Sequence, residues 1–430
     1  MSEAFDLIVV GAGPAGSTAA YQAAKSGFKV LLLERGKLPG QKNVFGGRIY
    51  AHMLRRIFKD FPSDVPYERF VVNESVNIMD DNRCATLSFS DHHGAPETAD
   101  SFVARRSRFD KWLSDKAEEA GAIVVPGTRV DELLMEDRKV KGIMAAGDRI
   151  EGRCVIDAEG VTATLSRLAG TRSDITPDQF KIGVKETVEI GKDAIESRFG
   201  LGENEGFAGV YVGFPSRYMP AGGAFIYTNR ESLSIGIVVE PKGLAGSKLE
   251  VQQLAESFRL HPHIRRMIGG GKVIEYSAHM IPNSVPMETG NLSGDGFMVT
   301  GDAAGFFINN GYTYRGVDLA IASGYCAANT FIEASKEGKF DASALSGYRK
   351  RLEEIGLMSE IERFSGNDRI LHNERIFSDY PPLVLNLLSE MFSVKGFGKE
   401  KLSTVSKRAM SGNISRLRLL RDIYSIYRLM

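Results

Sequence analysis

The stretch Phe5-Asp6-Leu7-Ile8-Val9-Val10-Gly11-Ala12-Gly13-Pro14-Ala15-Gly16, with Lys29-Val30-Leu31-Leu32-Leu33-Glu34 after it, decides the fold. Phe5 to Val10 is a short apolar run of the kind that forms a strand buried on both faces. Ala15 to Lys25 is a helix of small residues that ends near Gly27. Lys29 to Glu34 reads as a second strand. A Gly-x-Gly-x-x-Gly set between strand and helix has a physical meaning. Gly11 makes the tight turn, Gly13 lets the backbone approach a pyrophosphate, and Gly16 lets helix pack on strand. The helix start then offers unpaired N–H groups and partial positive charge to phosphate. Glu34 closes the second strand, where a carboxylate can accept both ribose hydroxyls. The motif leaves FAD and NAD both open. Its place at the very start of the chain, with a second domain to follow, favours FAD.

Outward from this motif the chain reads as an ordinary globular protein. Its 430 residues are 43% hydrophobic and 25% charged, with a net charge of +0. Nothing in that balance draws the whole molecule to nucleic acid. No run approaches the 18 or so apolar residues of a membrane span. Glu3 and Asp6 stand where a signal peptide would be basic, so a cytoplasmic location is expected. The three cysteines, Cys84, Cys154 and Cys326, are scattered without metal-ligand spacing, and no metal site is expected.

Arg108 to Ala120 suits an amphipathic helix with Phe109, Trp112, Leu113 and Ala117 on one face, and the strand Cys154 to Ala158 follows it. Between about 180 and 280 the texture becomes alternating. Ala224 to Thr228 and Leu233 to Val239 flank Asn229-Arg230-Glu231 as a hairpin, and one helix, about Leu249 to Leu260, interrupts. The strand Phe297 to Thr300 then runs into a second glycine turn, Gly301-Asp302-Ala303-Ala304-Gly305, before a helix at about Gly316 to Ser335. The expected fold is α/β: a discontinuous Rossmann-type dinucleotide domain (1–75, 103–175, 280–345), an antiparallel-sheet substrate domain (76–102, 176–279) and a helical C-terminal region (346–430).

The two glycine sites together resemble the flavoproteins that contain aromatic hydroxylases, geranylgeranyl reductases and electron-transfer-flavoprotein dehydrogenases, folds of the glutathione reductase/hydroxylase kind. The resemblance implies FAD, with Asp302 at its ribityl–pyrophosphate region and the loop Asn309-Asn310-Gly311-Tyr312-Thr313 beside the flavin ring. Lys42-Asn43-Val44-Phe45-Gly46-Gly47-Arg48-Ile49-Tyr50 resembles the matching stretch of FixC proteins, and Arg106-Ser107-Arg108-Phe109-Asp110 resembles their arginine-led helix, which implies that Arg106 reaches the cofactor. The cofactor contacts so implied are Gly11, Ala12, Gly13, Pro14, Ala15, Gly16, Glu34, Arg35, Gly47, Arg48, Arg106, Val130, Gly160, Gly301, Asp302, Gly305, Gly311, Tyr312 and Thr313. Asp157-Ala158-Glu159-Gly160 departs from the Asp-Gly of hydroxylases and resembles the electron-transfer-flavoprotein:quinone oxidoreductases; Glu159 is equally suited to cap the next helix.

In that branch, FAD accepts electrons from the alpha and beta subunits of an electron-transfer flavoprotein and reduces a membrane quinone, menaquinone or ubiquinone. Tyr312, Tyr314 and His279 are candidate proton donors, although each residue type also serves as a buried structural hydrogen-bonder. The branch's cysteine-rich ferredoxin-like segment has no counterpart after Cys326, which implies that the cluster is absent or is supplied by a separate small ferredoxin-like iron–sulfur subunit. From Lys395 to Met430, nine Lys/Arg stand against two Asp/Glu, interleaved with Leu417, Leu419, Leu420, Ile423, Tyr424, Ile426, Tyr427, Leu429 and Met430. Such a tail suits peripheral binding at the inner face of the cell membrane, docking on an acidic partner, or packing on its own domain.

Three other functions fit parts of the sequence. A prenyl reductase is suggested by Tyr211-Val212-Gly213-Phe214-Pro215, although that family's tryptophan is missing and Trp112 is the one Trp in the chain. The others are an NAD(P)H-dependent flavin monooxygenase and a flavin relay subunit with no substrate of its own.

Overall fold

A computed structural model of the chain describes residues 4–41, 46–92, 98–214, 222–247, 249–283, 291–410 and 415–429. Two sheets organise them. The first runs in the order Ser293–Gly294, Phe297–Val299, Asp148–Asp157, Phe5–Val10, Val30–Glu34, Ile123–Pro126. Phe5–Val10 lies parallel to both neighbours, with Val10 opposite Leu33 on one side and Asp157 on the other. Parallel strands covered on both faces explain the unbroken apolar runs: Leu7, Ile8 and Val9 are fully buried. Each such side chain contributes roughly 1.5–3 kcal/mol relative to exposure. The hairpin Val130–Glu136 and Lys139–Ala145 extends the outer half of Asp148–Asp157.

The helix Pro14–Lys25 starts directly after the first strand, with proline in its first turn. Its composition is small because it is squeezed. A Cβ on Gly16 would come 1.9 Å from the carbonyl oxygen of Gly11, and one on Gly324 of the helix Val317–Glu337 would come 2.1 Å from that of Ala15. The N-terminal helix is thus clamped between its strand and the long helix that returns from the second glycine turn.

The second sheet has nine strands, in the order Lys272–Pro282, Phe180–Glu189, Ser232–Val239, Gly223–Thr228, Glu205–Val212, Arg69–Met79, Ser101–Arg105, Gly46–Tyr50, with Cys84–Ser90 also on Arg69–Met79. The hairpin around Asn229 to Glu231 forms as expected, Thr228 facing Leu233. Most pairs are antiparallel; Glu205–Val212 and Arg69–Met79 are parallel. The helices Lys192–Phe199, Val251–Leu260 and Pro262–Ile268 cover one face through Ile195, Leu254, Phe258 and Ile264.

The strands at Gly46–Tyr50 and the start of Arg69–Met79 fall in the residues expected for the nucleotide domain, yet they hydrogen-bond into the second sheet. Their side chains Ile49 and Phe70 pack into the first core with Phe102 and Phe109. A strand bonds through its edges and packs through its faces, so these segments join one sheet and line the other body. Residues 280–282 likewise end the strand Lys272–Pro282. After 345 most of the described residues are helical, the last helices being Tyr380–Phe392, Leu402–Met410 and Arg416–Leu429.

Candidate functional site

One cavity of about 440 Å³ runs between the two sheets, from the first glycine turn to the C-terminal helices. Its nucleotide end is built as the glycine spacing demands. Gly11 has φ +104°, and a Cβ there would meet the Ala158 carbonyl oxygen at 2.3 Å. Gly13 lines the cavity, and an added Cβ would meet no protein atom within 4 Å. The protein therefore needs Gly11 and Gly16 for its own packing, whereas a side chain on Gly13 would fill only the cradle at the helix start. Glu34 ties this end together: its Oε2 accepts from the Ala12 N–H at 3.1 Å and its Oε1 from the Gly36 N–H at 2.6 Å. The carboxylate lines the cavity beside Arg35 and Val130. Open space at Gly13, first-turn N–H groups without intrahelical acceptors and a carboxylate at the second strand's end together fit a dinucleotide.

The acidic pair behind this end is strongly perturbed. Asp157 is fully buried and accepts from the Glu159 N–H at 2.9 Å, the Ser166 N–H at 3.0 Å and the Ser166 hydroxyl. Burial holds its carboxyl above the ordinary range, and burial followed by the Asp157 charge pushes Glu159 up to about 7. Glu159 Oε2 accepts from the Leu165 N–H at 2.8 Å at the start of the helix Thr164–Leu168, so it does cap that helix, and it also lines the cavity with Gly160.

At the middle of the cavity, Gly301 and Asp302 face Arg106. Burial raises the Asp302 carboxyl to about 6, opposed by Arg106 and Arg172. Arg106 is in the wall, but Nε and Nη2 donate to Asp110 at 2.7 and 2.8 Å, and Asp110 is fully buried. Arg48 is similarly committed: Nη1 and Nη2 donate to Glu74 at 2.6 and 2.7 Å, Nε donates to Ser101 at 2.7 Å, and the guanidinium lies over the Tyr50 ring. Both arginines present to the cavity only what these bidentate pairs leave over.

Pro14, Ala15, Gly47, Gly311, Tyr312, Tyr314 and His279 also line the cavity. Ala12, Gly16, Gly305 and Thr313 lie behind the wall. Thr313 is buried, with its hydroxyl 3.4 Å from the Tyr50 hydroxyl; Gly305 has φ +76° and ends the turn Gly301–Ala304. Of Lys42 to Tyr50, residues 42–45 lie outside the described residues. His279 is held neutral: burial first, then Arg106 and Arg35, lower its imidazole to about 4. Burial and the two arginines thus disfavour its imidazolium form. Tyr312 is partly exposed, while Tyr314 packs against Phe307 and receives the Lys181 ammonium at 3.5 Å.

Residues absent from the sequence-based expectation complete the wall. Phe225 and Tyr227 are stacked at 5.1 Å on the strand Gly223–Thr228. Arg315 lies over Tyr50 and pairs with Asp318 and Glu360, each at 2.5 Å. Leu371 and Phe377 of the C-terminal helices close the far end, where they pack with Val212, Ile370 and Ile376. The alternation of Phe225 and Tyr227 put both on one sheet face; nothing local said that this face meets a cavity.

Comparison with known proteins agrees with this geometry. Residues 6–192 match the family model described as FAD dependent oxidoreductase, residues 180–281 that for ETF-QO, ubiquinone-binding, and residues 368–430 that for the ETF-QO/FixC family C-terminal domain. The probable electron transfer flavoprotein-quinone oxidoreductase YdiS of Escherichia coli is 41% identical over 394 residues, 91% of each chain. Protein FixC of Azotobacter vinelandii is 34% identical across 100% of this chain and 99% of its own. Among solved structures, a geranylgeranyl bacteriochlorophyll reductase-like protein from Thermoplasma acidophilum superposes with a TM-score of 0.74 at 20% identity over 99% of both chains, a likeness of fold. The chain is an FAD-dependent oxidoreductase and belongs to the electron-transfer-flavoprotein–quinone oxidoreductase/FixC family.

Proposed function

We propose that this protein takes electrons from an electron-transfer flavoprotein and passes them through FAD to a membrane quinone, menaquinone or ubiquinone. The observation that carries the reading is the continuity of one cavity between the glycine-lined start of the helix Pro14–Lys25 and an apolar end formed by Val212, Leu371 and Phe377. FAD would lie with its pyrophosphate at Gly13 to Ala15, its ribose at Glu34 and its ribityl chain at Asp302. When bound, it supplies two-electron redox chemistry. The chain's own residues orient it, exclude water through the second sheet and admit an apolar-tailed head group at the far end. The family match to a ubiquinone-binding segment supports this substrate.

The membrane reading has its own support. Among the described residues no helix is long and apolar enough to cross a membrane. The helix Arg416–Leu429 is held to the body by Asp422, which pairs with Arg375 at 2.8 Å and accepts from the Tyr380 hydroxyl at 2.5 Å. Asp422 is 3% exposed, whereas Leu417, Leu420, Ile423, Tyr424 and Tyr427 are 80%, 63%, 51%, 61% and 76% exposed. Helical spacing puts Leu417, Leu420, Tyr424 and Tyr427 on a stripe opposite Asp422, with Ile423 at its edge. An outward apolar stripe beside Arg418, Arg421 and Arg428 suits peripheral attachment to an anionic inner membrane face.

The partners in this reading are the alpha and beta subunits of the electron-transfer flavoprotein and a small ferredoxin-like iron–sulfur subunit. Cys154 and Cys326 are buried thiols and Cys84 is half-buried. Anaerobic assay with the electron-transfer flavoprotein reduced beforehand tests the proposal: quinol should form at the expense of the donor. A prenyl product or NAD(P)H oxidation, with no quinol, would replace it with the reductase or monooxygenase reading.

A further inference from the structure

Quinone reduction, on which this inference rests, needs protons as well as electrons. Two electrons and two protons turn a quinone into a quinol. FAD, when bound and reduced, would supply the electron pair and one proton, so one further proton must come from elsewhere. Burial, Arg106 and Arg35 disfavour the imidazolium of His279, and the far end of the cavity is apolar.

A line of polar side chains leads from Tyr314 to the surface. Tyr314 lines the cavity, and its hydroxyl lies 3.5 Å from Nζ of Lys181. Lys181 is fully buried on the strand Phe180–Glu189. Pairing of Ile182 with Val239 in the neighbouring strand sets Lys181 beside Glu240, and Nζ is 3.7 Å from Glu240 Oε1. That oxygen is also 3.0 Å from Nε2 of His372, whose side chain is 42% exposed. Glu240 Oε1 is buried, yet neither neighbour is aligned with it as a hydrogen bond. A buried carboxylate oxygen left without one is costly. Here it stands between two nitrogens that can each hand it a proton. The other buried lysine of the strand, Lys185, faces a separate group, Glu275 with Arg105 and Glu68 near it.

We propose that His372, Glu240, Lys181 and Tyr314 form a proton relay from solvent to the quinone head group. The Tyr314 O–H bond breaks as its proton passes to the quinone oxygen. The Lys181 ammonium returns a proton to the phenolate, Glu240 passes one from the His372 imidazolium to the Lys181 amine, and His372 takes one from water. One solvent proton is consumed per quinol, and every residue ends as it began. Tyr314 is the catalytic residue, and the other three act through it.

The test uses holoenzyme with its FAD reduced beforehand, mixed with a short-chain benzoquinone while flavin absorbance and an indicator dye report electron loss and proton uptake. His372→Gln, at the exposed end, and Lys181→Met should each slow both signals about tenfold or more. Added imidazole should restore the His372→Gln rate. Reoxidation by ferricyanide, which takes electrons without protons, should match native protein, as should FAD content. A third variant tests the middle of the line: Glu240→Gln should slow quinol formation and proton uptake as Lys181→Met does, with ferricyanide reoxidation and FAD content native. Normal quinone rates in these variants, or an equal loss of ferricyanide rate, would overturn the relay. Native protein that reduces no quinone while ferricyanide reoxidises it normally would instead overturn the substrate.

Discussion

Replacing Gly13 by valine separates what the fold needs from what the cofactor needs. Gly13 has φ −79° and ψ −175°, an extended conformation open to any residue. A Cβ there meets no protein atom within 4 Å. The cost to the apoprotein is then that of a poorer helix cap, about 1 kcal/mol. The cost to FAD is larger, because the side chain enters the space beside the first-turn N–H groups of Ala15 and Gly16. Two charge-assisted hydrogen bonds to phosphate lost, at about 1.5–3 kcal/mol each, weaken binding by roughly two to four orders of magnitude. Gly16→Val is the contrast. Its Cβ would sit 1.9 Å from the Gly11 carbonyl oxygen, so the apoprotein itself should lose several kcal/mol or fail to fold. Denaturant unfolding of flavin-free protein and fluorescence titration with FAD measure the two effects separately. If Gly13→Val binds FAD within threefold of native, or unfolds as early as Gly16→Val, the assignment of the cradle is wrong.

Raised carboxyls at Glu159 and Asp302 make flavin-free protein lose stability as pH rises, because the folded state holds protons that the unfolded chain has released. For Glu159 the window runs from about 4.5 to about 7, for Asp302 from about 3.8 to about 6, and Glu159→Gln should flatten the upper part; an unchanged slope in urea unfolding between pH 5 and 7.5 would count against it. Leu420→Glu with Tyr424→Glu should lower binding to anionic vesicles severalfold while FAD content stays native, and vesicle flotation that matches native protein would move the contact elsewhere. The chain purified alone should contain no iron or acid-labile sulfide, whereas a co-purifying small subunit should; stoichiometric iron in the isolated chain refutes this.

The run from Phe5 to Glu34 was legible because its meaning is local. Strand, turn and helix lie within thirty residues, and each glycine answers to a neighbour close in sequence. The hairpin at Asn229 to Glu231 and the turn at Gly301 were legible for the same reason, while the assignment to the quinone branch came from resemblance in short segments rather than from spacing. The sequence could not say that Gly46–Tyr50 bonds into one sheet while packing on the core of the other, since edge and face are chosen only when the sheets form. Nor could it say that Arg106 and Arg48 spend their donors on Asp110 and Glu74, or that His279 sits near two arginines and is neutral. Lys181, Glu240, His372 and Tyr314 carry no motif and are far apart in the chain. Strand register and the return of the C-terminal helices bring them within 3.7 Å of one another in turn. Backbone chemistry can be read along a sequence; the fields and contacts that set a side chain's charge depend on distant residues meeting, and only the tertiary structure decides which do.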